Sequence, residues 1–268
     1  CSANHRVLAV DRKQAPGQPV QCAELVPALI SQDVPDIKKH IVQGIDEMRT
    51  KIDGGPTTKT RPFRGHIINR VSFDRSLVTL ATEAGANCLF DCPVISVSKG
   101  LVELASKKKV SAQVIIGADG PRSLVGRAIR KENKELIYAR QITVPLLKNH
   151  HSTDIFLSAR TTGGYSWLFP KSNVAHIGVG VSANERPALK QLTSKLHSDF
   201  VVSGTVGRQT LAITGGVIPV GGPLQACQFD GDHLTLLAGD AAGLTNPITG
   251  AGIYSAIVSG TLAGDAAI

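Results

Sequence analysis

Leu236-Leu237-Ala238-Gly239-Asp240-Ala241-Ala242-Gly243-Leu244-Thr245-Asn246-Pro247-Ile248-Thr249-Gly250-Ala251-Gly252 is the stretch whose reading decides the fold. An apolar run ends in Gly-Asp, a glycine-rich loop follows, and a small-residue segment suited to a helix closes it. In open α/β sheets, ligands lie at the carboxyl ends of the strands. A carboxylate there can accept hydrogen bonds from ribose hydroxyls, and glycines let the backbone approach a ligand closely. A helix opening near Gly250 directs free N–H groups and the positive end of its dipole at an anion such as a pyrophosphate. A single strand ending in Gly-Asp is most often only a turn. Here a second run, Val114-Ile115-Ile116-Gly117-Ala118-Asp119-Gly120, ends the same way and is followed by Arg122 and Ser123.

Working outward, His5-Arg6-Val7-Leu8-Ala9-Val10-Asp11 reads as a parallel strand with an acid at its carboxyl end. Ile37, Ile41 and Ile45 recur at a spacing of four and predict a helix over 33–47. Residues 72–86 read as a second helix, with Phe73, Leu77, Leu80, Ala81 and Ala84 on one face. Short strands are expected over 94–98, 101–104 and 110–116, the first two joined by Lys99-Gly100, with a helix opening at Pro121 or Ser123. Strand patterning dominates 141–181. Helices are expected over 188–201 and 250–268, and a strand over 234–238. Strand–helix units at both ends with a strand-rich insert between them suggest an α/β layer interrupted by a substrate domain.

Composition narrows the classes. The chain has 268 residues, 42% of them hydrophobic and 19% charged, which suits a globular chain with a sizeable core. Aromatic residues make up 4%, too few for a base-stacking nucleic-acid platform. The formal net charge of +8 is compatible with a phosphate-bearing ligand or an anionic membrane surface, and selects neither. Lys107-Lys108-Lys109 reads as a solvated turn. Five cysteines, an odd number in a long chain, argue against a disulfide framework, and no ligand spacing argues for a metal. The uncharged stretch 241–264 holds five glycines and a proline between Asp240 and Asp265, so a loop and a small-residue helix fit better than a membrane span. Trp167 alone reads as a core residue, His66, His150, His151 and His176 as surface or core, and Arg61 and Arg64 as a solvated loop.

Gly117-Ala-Asp-Gly-Pro-Arg-Ser123, the Gly239–Gly252 stretch quoted above, and Gly164-Tyr165-Ser-Trp167-Leu-Phe169-Pro170 together carry a resemblance covering nearly the whole chain. The sequence resembles the geranylgeranyl reductase family of FAD-dependent oxidoreductases, which shares its fold with p-hydroxybenzoate hydroxylase. The first two segments are similar to the family's DG and GD motifs, and the third to its Tyr-x-Trp-x-Phe-Pro signature. Gln21-Cys22-Ala23-Glu24 also resembles a segment of the reductase branch.

The resemblance implies an α/β fold: a Rossmann-like FAD-binding layer with an inserted β-rich, mostly antiparallel substrate domain. The expected boundaries are 1–140 and 226–268 for the FAD-binding parts and 141–225 for the insert. The family's opening strand and Gly-x-Gly-x-x-Gly loop have no counterpart, so the βα unit upstream of His5 is expected to be missing, and the family continues beyond the GD helix. Asp11 and Arg12 match the adenosine end of FAD. Asp119 and Gly120 match the DG site, and Gly239, Asp240, Gly243 and Pro247 the GD site. Gly250, Ala251 and Gly252 would lie beside the flavin's pyrimidine edge. Tyr165, Trp167 and Phe169 would line the substrate cavity, with Cys22 near the flavin as the catalytic candidate. No metal is expected.

The activity implied is reduction of isoprenoid C=C bonds by hydride from reduced flavin. The expected substrate is a prenyl-chain lipid, quinone or pigment precursor, the expected electron donor NAD(P)H or ferredoxin. The location implied is cytoplasmic, in peripheral contact with a membrane, with no nucleic-acid partner. Two alternatives stay open: an NAD(P)H-dependent aromatic-ring monooxygenase on the same fold, and a truncated non-catalytic fragment that binds lipid or another anion.

Overall fold

The computed structural model describes residues 5–268. The chain is mixed α/β and divides into two compact units, each assembled from separated segments. The first contains the chain up to Val20, Arg70–Glu135 and Pro219–Ile268; the second contains Gln21–Asn69 and Leu136–Ile218. The α-helices among the described residues are α1 (Arg70–Glu83), α2 (Leu124–Ala128), α3 (Leu189–Val202) and α4 (Ile253–Ala266).

In the first unit two parallel strand pairs carry the acids singled out above. Leu8–Val10 pairs with Asn87–Leu89, and Val114–Gly117 pairs with Leu234–Leu237. Cys227–Phe229 extends the second pair in antiparallel sense, and Val94–Ser98, Leu101–Leu104 and Lys109–Ser111 form a separate antiparallel meander. The 110–116 run therefore splits into two strands. The core lies where α2 meets the Val114 and Leu234 strands: Ile115, Val125, Ile129, Leu237, Ala241 and Ala242 are buried together. A Cβ on Gly117 would come within 2.6 Å of Val125 Cβ, so strand and helix approach at a distance only glycine allows.

The second unit is built on a seven-stranded sheet in the order Ala212–Pro219, Leu136–Pro145, Val174–Ser182, Ser166–Lys171, Ser152–Leu157, Glu47–Ile52, Thr57–Thr60. Ser152–Leu157 runs parallel to Glu47–Ile52; the four strands from Leu136–Pro145 to Ser152–Leu157 pair antiparallel in succession, as do Glu47–Ile52 and Thr57–Thr60. A three-stranded sheet joins Leu25–Pro27, Gly65–Ile68 and Ile41–Ile45. The 21–69 segment, expected with the first part of the FAD layer, thus groups with the strand-rich insert, because its strand Glu47–Ile52 is built into the insert's sheet.

One expected helix is absent. Residues 33–47 hold a short 3-10 turn, Pro35–His40, then the strand Ile41–Ile45. Isoleucines at a spacing of four suit either period. The β-branched Ile41, Val42 and Ile45, with Gly44 among them, favour the strand, and burial alternates along it. Among the described residues no helix is long and apolar enough to cross a membrane.

Candidate functional site

Register brings two of the expected acids together. Gly117 lies opposite Leu237, and the Ala238 N–H donates to Gly117 O across 3.0 Å, so Asp119 and Asp240 follow the carboxyl ends of adjacent parallel strands. Asn133 ties the two loops: its Nδ2 donates to Asp240 O at 2.8 Å and to Pro121 O at 3.1 Å. Asn133 carries no motif signal, and only the fold reveals it.

The Asp119 carboxylate organises its own loop. It accepts from Ser123 Oγ at 2.5 Å and from the backbone N–H groups of Leu124 and Val125 at 2.6 and 3.2 Å. Ser123 in turn accepts from the Gly126 N–H and caps α2. Gly120 has φ of +86°, and a Cβ there would meet no atom within 4 Å. The DG turn is therefore left-handed and open on that side.

The GD segment folds as a tight turn over the start of α4. Gly239 has φ of +57°, and its absent Cβ would lie 3.1 Å from Ala256 Cβ. Its N–H donates to Ser259 Oγ. Asp240 Oδ1 accepts from Thr245 Oγ1 at 2.5 Å. Gly243, at φ of +70°, sits against Gly222 O at a separation that excludes any side chain. Asn246 then holds the loop: its Oδ1 accepts from the Ile248 and Thr249 N–H groups, and its backbone pairs with Gly250 and Ala251. Pro247 and Ala251 are exposed. Gly252 caps α4 without a side-chain hydrogen bond, and a Cβ on it would lie 3.0 Å from both Asp240 Oδ1 and Thr245 Oγ1. Carboxylate, hydroxyl and helix N-terminus thus converge on one glycine.

Asp11 is held separately, at the end of the Leu8–Val10 strand. Its N–H donates to Leu89 O, its carbonyl accepts from Cys92 N–H, and its Oδ1 accepts from Lys13 N–H at 2.9 Å. Arg12 is exposed beside it.

In the second unit Tyr165, just before the Ser166–Lys171 strand, alternates with Trp167 and Phe169 within it. Tyr165 and Trp167 meet edge-on at 5.7 Å, and Trp167 lies 6.4 Å from Phe169. Trp167 and Phe169 are buried with Ile45 and Ile67. Burial pushes the Tyr165 phenol up to about 12, so it stays protonated at neutral pH. Trp167 Nε1 donates to Gln141 Oε1, while Gln141 Nε2 donates to Cys22 O. The Glu24 N–H donates to Cys22 Sγ at 3.2 Å.

Beside this strip lies a buried polar cluster that the sequence did not disclose. Glu24 Oε2 accepts from Lys171 Nζ at 2.5 Å and pairs with His176 Nε2 at 3.0 Å, and His176 Nδ1 meets Thr143 Oγ1. Glu24 is 1% exposed and has a left-handed backbone, φ of +64°. His176 is therefore a hydrogen-bonding partner of Glu24 in the interior. Arg61, expected in a solvated loop, pairs with the buried Glu47, which also accepts from Arg49 Nε at 2.5 Å. Among the described residues no group of three His, Cys, Asp or Glu side chains could hold a metal ion.

No protein-family model matches the chain. A digeranylgeranylglycerophospholipid reductase of Methanopyrus kandleri is 31% identical over 286 residues, spanning 98% of this chain and 74% of that protein. A geranylgeranyl bacteriochlorophyll reductase-like protein from Thermoplasma acidophilum superposes with a TM-score of 0.86 at 25% identity, over 98% of this chain and 71% of that one. A probable FAD-dependent monooxygenase from Pseudomonas aeruginosa shares the fold, with a TM-score of 0.67 at 19% identity, over 99% of this chain and 80% of that one.

Proposed function

This chain belongs to the digeranylgeranylglycerophospholipid reductase family, and from that premise we propose that it binds FAD and reduces C=C bonds in the prenyl chains of a lipid. The observation that carries the reading is the convergence of Asp240, Thr245 and the α4 N-terminus on Gly252, in a loop joined through Asn133 to the DG turn.

The residues present fit the cofactor. A Cβ on Gly252 would press on Asp240 Oδ1 and Thr245 Oγ1, so glycine is what lets the carboxylate and the α4 N-terminus come this close, and Gly120 is left-handed with open space before it. The first N–H groups of a 14-residue helix favour an anion at that glycine. When bound and reduced, the flavin would supply hydride to one alkene carbon, with a proton from water reaching the other and the flavin left oxidised. Asp240 and the α4 N-terminus would hold it by its polar edge, Asp119 and Gly120 would shape the neighbouring turn, and Asp11 and Arg12 would meet the adenosine end. Asp240 is fixed for this by the Thr245 hydroxyl, so little freedom is lost on binding. Tyr165, the half-buried end of the strip, would meet a prenyl chain held away from water, the buried Trp167 and Phe169 would back it, and Cys22 would stand at its edge. NAD(P)H or ferredoxin would supply electrons, and a substrate in a bilayer would bring the protein to a membrane surface.

An anaerobic single turnover tests this. The chain is loaded with FAD, reduced, and mixed with a digeranylgeranyl glycerophospholipid. The expected result is flavin reoxidation together with a gain of one dihydrogen per saturated double bond, read by mass spectrometry. Bound reduced flavin that persists beside unchanged lipid would overturn the reading.

A further inference from the structure

A concavity lies in the first unit, away from the acid-bearing loops. It has a volume of about 440 Å³ and opens beside the amino end of the Leu234–Leu237 strand, whereas Asp119 and Asp240 follow the carboxyl ends. Its rim is cationic: Lys99 and Arg130 contribute two positive charges against the one carboxylate of Asp230. Neither cation makes an ion pair among the described residues. Asp230 accepts the N–H groups of Asp232 and His233, and those bonds, with the charges of His233 and Lys99, hold its carboxyl below the usual range. That carboxylate stays ionised and committed to its own turn.

The backbone at both cations is unusual. Lys99 has φ of +43° and Arg130 φ of +58°. Arg130 follows the C-cap of α2, a place where glycine is the common residue. Long cations occupy two positions where glycine or asparagine would be less strained, and both point to the same concavity. His233 is also fixed. Its ring fills the space above Gly100, where a Cβ would lie 2.2 Å from Nδ1, and Nδ1 donates to Ala112 O. Its Nε2 makes no hydrogen bond among the described residues. The buried Ile129 supplies an apolar floor, and the exposed Gln228 a neutral amide.

We propose that this concavity binds a nucleoside phosphate: the phosphate at Lys99 and Arg130, the base over Ile129, with Gln228 and His233 Nε2 offering hydrogen bonds. The volume lies within the range of small-ligand sites. A guanidinium and an ammonium that outnumber the one carboxylate beside them are groups that recognise phosphate. The proposal stands independently of the flavin reading.

The test uses AMP and inorganic phosphate as probes of the whole chain, read by calorimetry and by hydrogen exchange of the loop segments. AMP is expected to bind at least about tenfold tighter than phosphate. It is expected to slow exchange over 97–100 and 128–131. The double variant Lys99→Asn, Arg130→Gly suits both left-handed positions, so its melting temperature should hold or rise. Its AMP affinity should nevertheless fall by about tenfold or more, and the exchange protection should vanish. Four results would overturn the proposal: no AMP binding, AMP no tighter than phosphate, protection confined to 8–11, or a double variant that binds AMP as the parent does.

Discussion

Gly252 is the residue on which the site turns. Its backbone φ of −128° would accept alanine, so any penalty comes from the added methyl alone. That methyl would lie 3.0 Å from Asp240 Oδ1 and Thr245 Oγ1, so it would displace the carboxylate assigned to the cofactor's edge. Gly252→Ala is expected to weaken FAD binding by roughly tenfold or more while melting within a few degrees of the parent. Fluorescence titration of FAD together with a thermal melt checks both halves. Loss of FAD affinity with a large drop in melting temperature would instead assign Gly252 to the fold. At this scale the sequence was informative where chemistry is local. The expected acids Asp11, Asp119 and Asp240 do stand at strand ends, and α2 does open at Ser123. It was silent where partners are far apart. Glu24 meets Lys171 and His176 across 147 and 152 residues, and Asn133 reaches Asp240 across 107. No spacing rule links such positions.

Among elements, the central strands of the second unit's sheet show how polar groups are managed in an interior. Lys171 and His176 project from neighbouring strands onto one carboxylate, and Thr143 completes the row from a third strand. Removing one partner of a buried charged group is costlier than replacing the set, because the others remain desolvated and unpaired. Glu24→Ala is therefore expected to destabilise the protein by about 3–5 kcal/mol, and Glu24→Gln, which keeps an acceptor, by less. Denaturant unfolding of the two variants checks the order; equal losses would contradict it. Gly178 makes a related point. Its Cβ would fall 2.1 Å from the Trp167 ring, so Gly178→Ala is expected to cost about 1–3 kcal/mol by the same measurement. Most elements were legible from period and turn residues: α1, α3, α4 and the hairpin at Lys99-Gly100 lie where expected. Residues 33–47 were not, because a four-residue recurrence of isoleucine fits a helix face and also a strand preceded by a turn. The pairing of Ile41–Ile45 with Gly65–Ile68 settles it, a tertiary contact that local pattern does not encode.

For the whole molecule, the two units are each discontinuous, so neither corresponds to a contiguous piece of chain. The expected division at 140 and 225 followed changes of pattern along the sequence. It had no means of seeing that Glu47–Ile52 pairs with Ser152–Leu157. Stability against acid has an identifiable contributor. Arg49 and Arg61 beside the buried Glu47 hold its carboxyl below the ordinary value. A carboxylate whose folded value is depressed stabilises the fold fully above its unfolded value, and that contribution is lost as pH falls through the folded one. Urea midpoints should therefore decline below about pH 4, and Glu47→Gln should flatten that part of the profile. An unchanged acid limb in the variant would remove Glu47 from the account. The function rests on one cofactor, and its retention is the most direct measurement. The chain is mixed with excess FAD, desalted, and examined for flavin absorbance. The account predicts about one flavin per folded chain, lost in Asp240→Ala. A folded, colourless parent protein would contradict it.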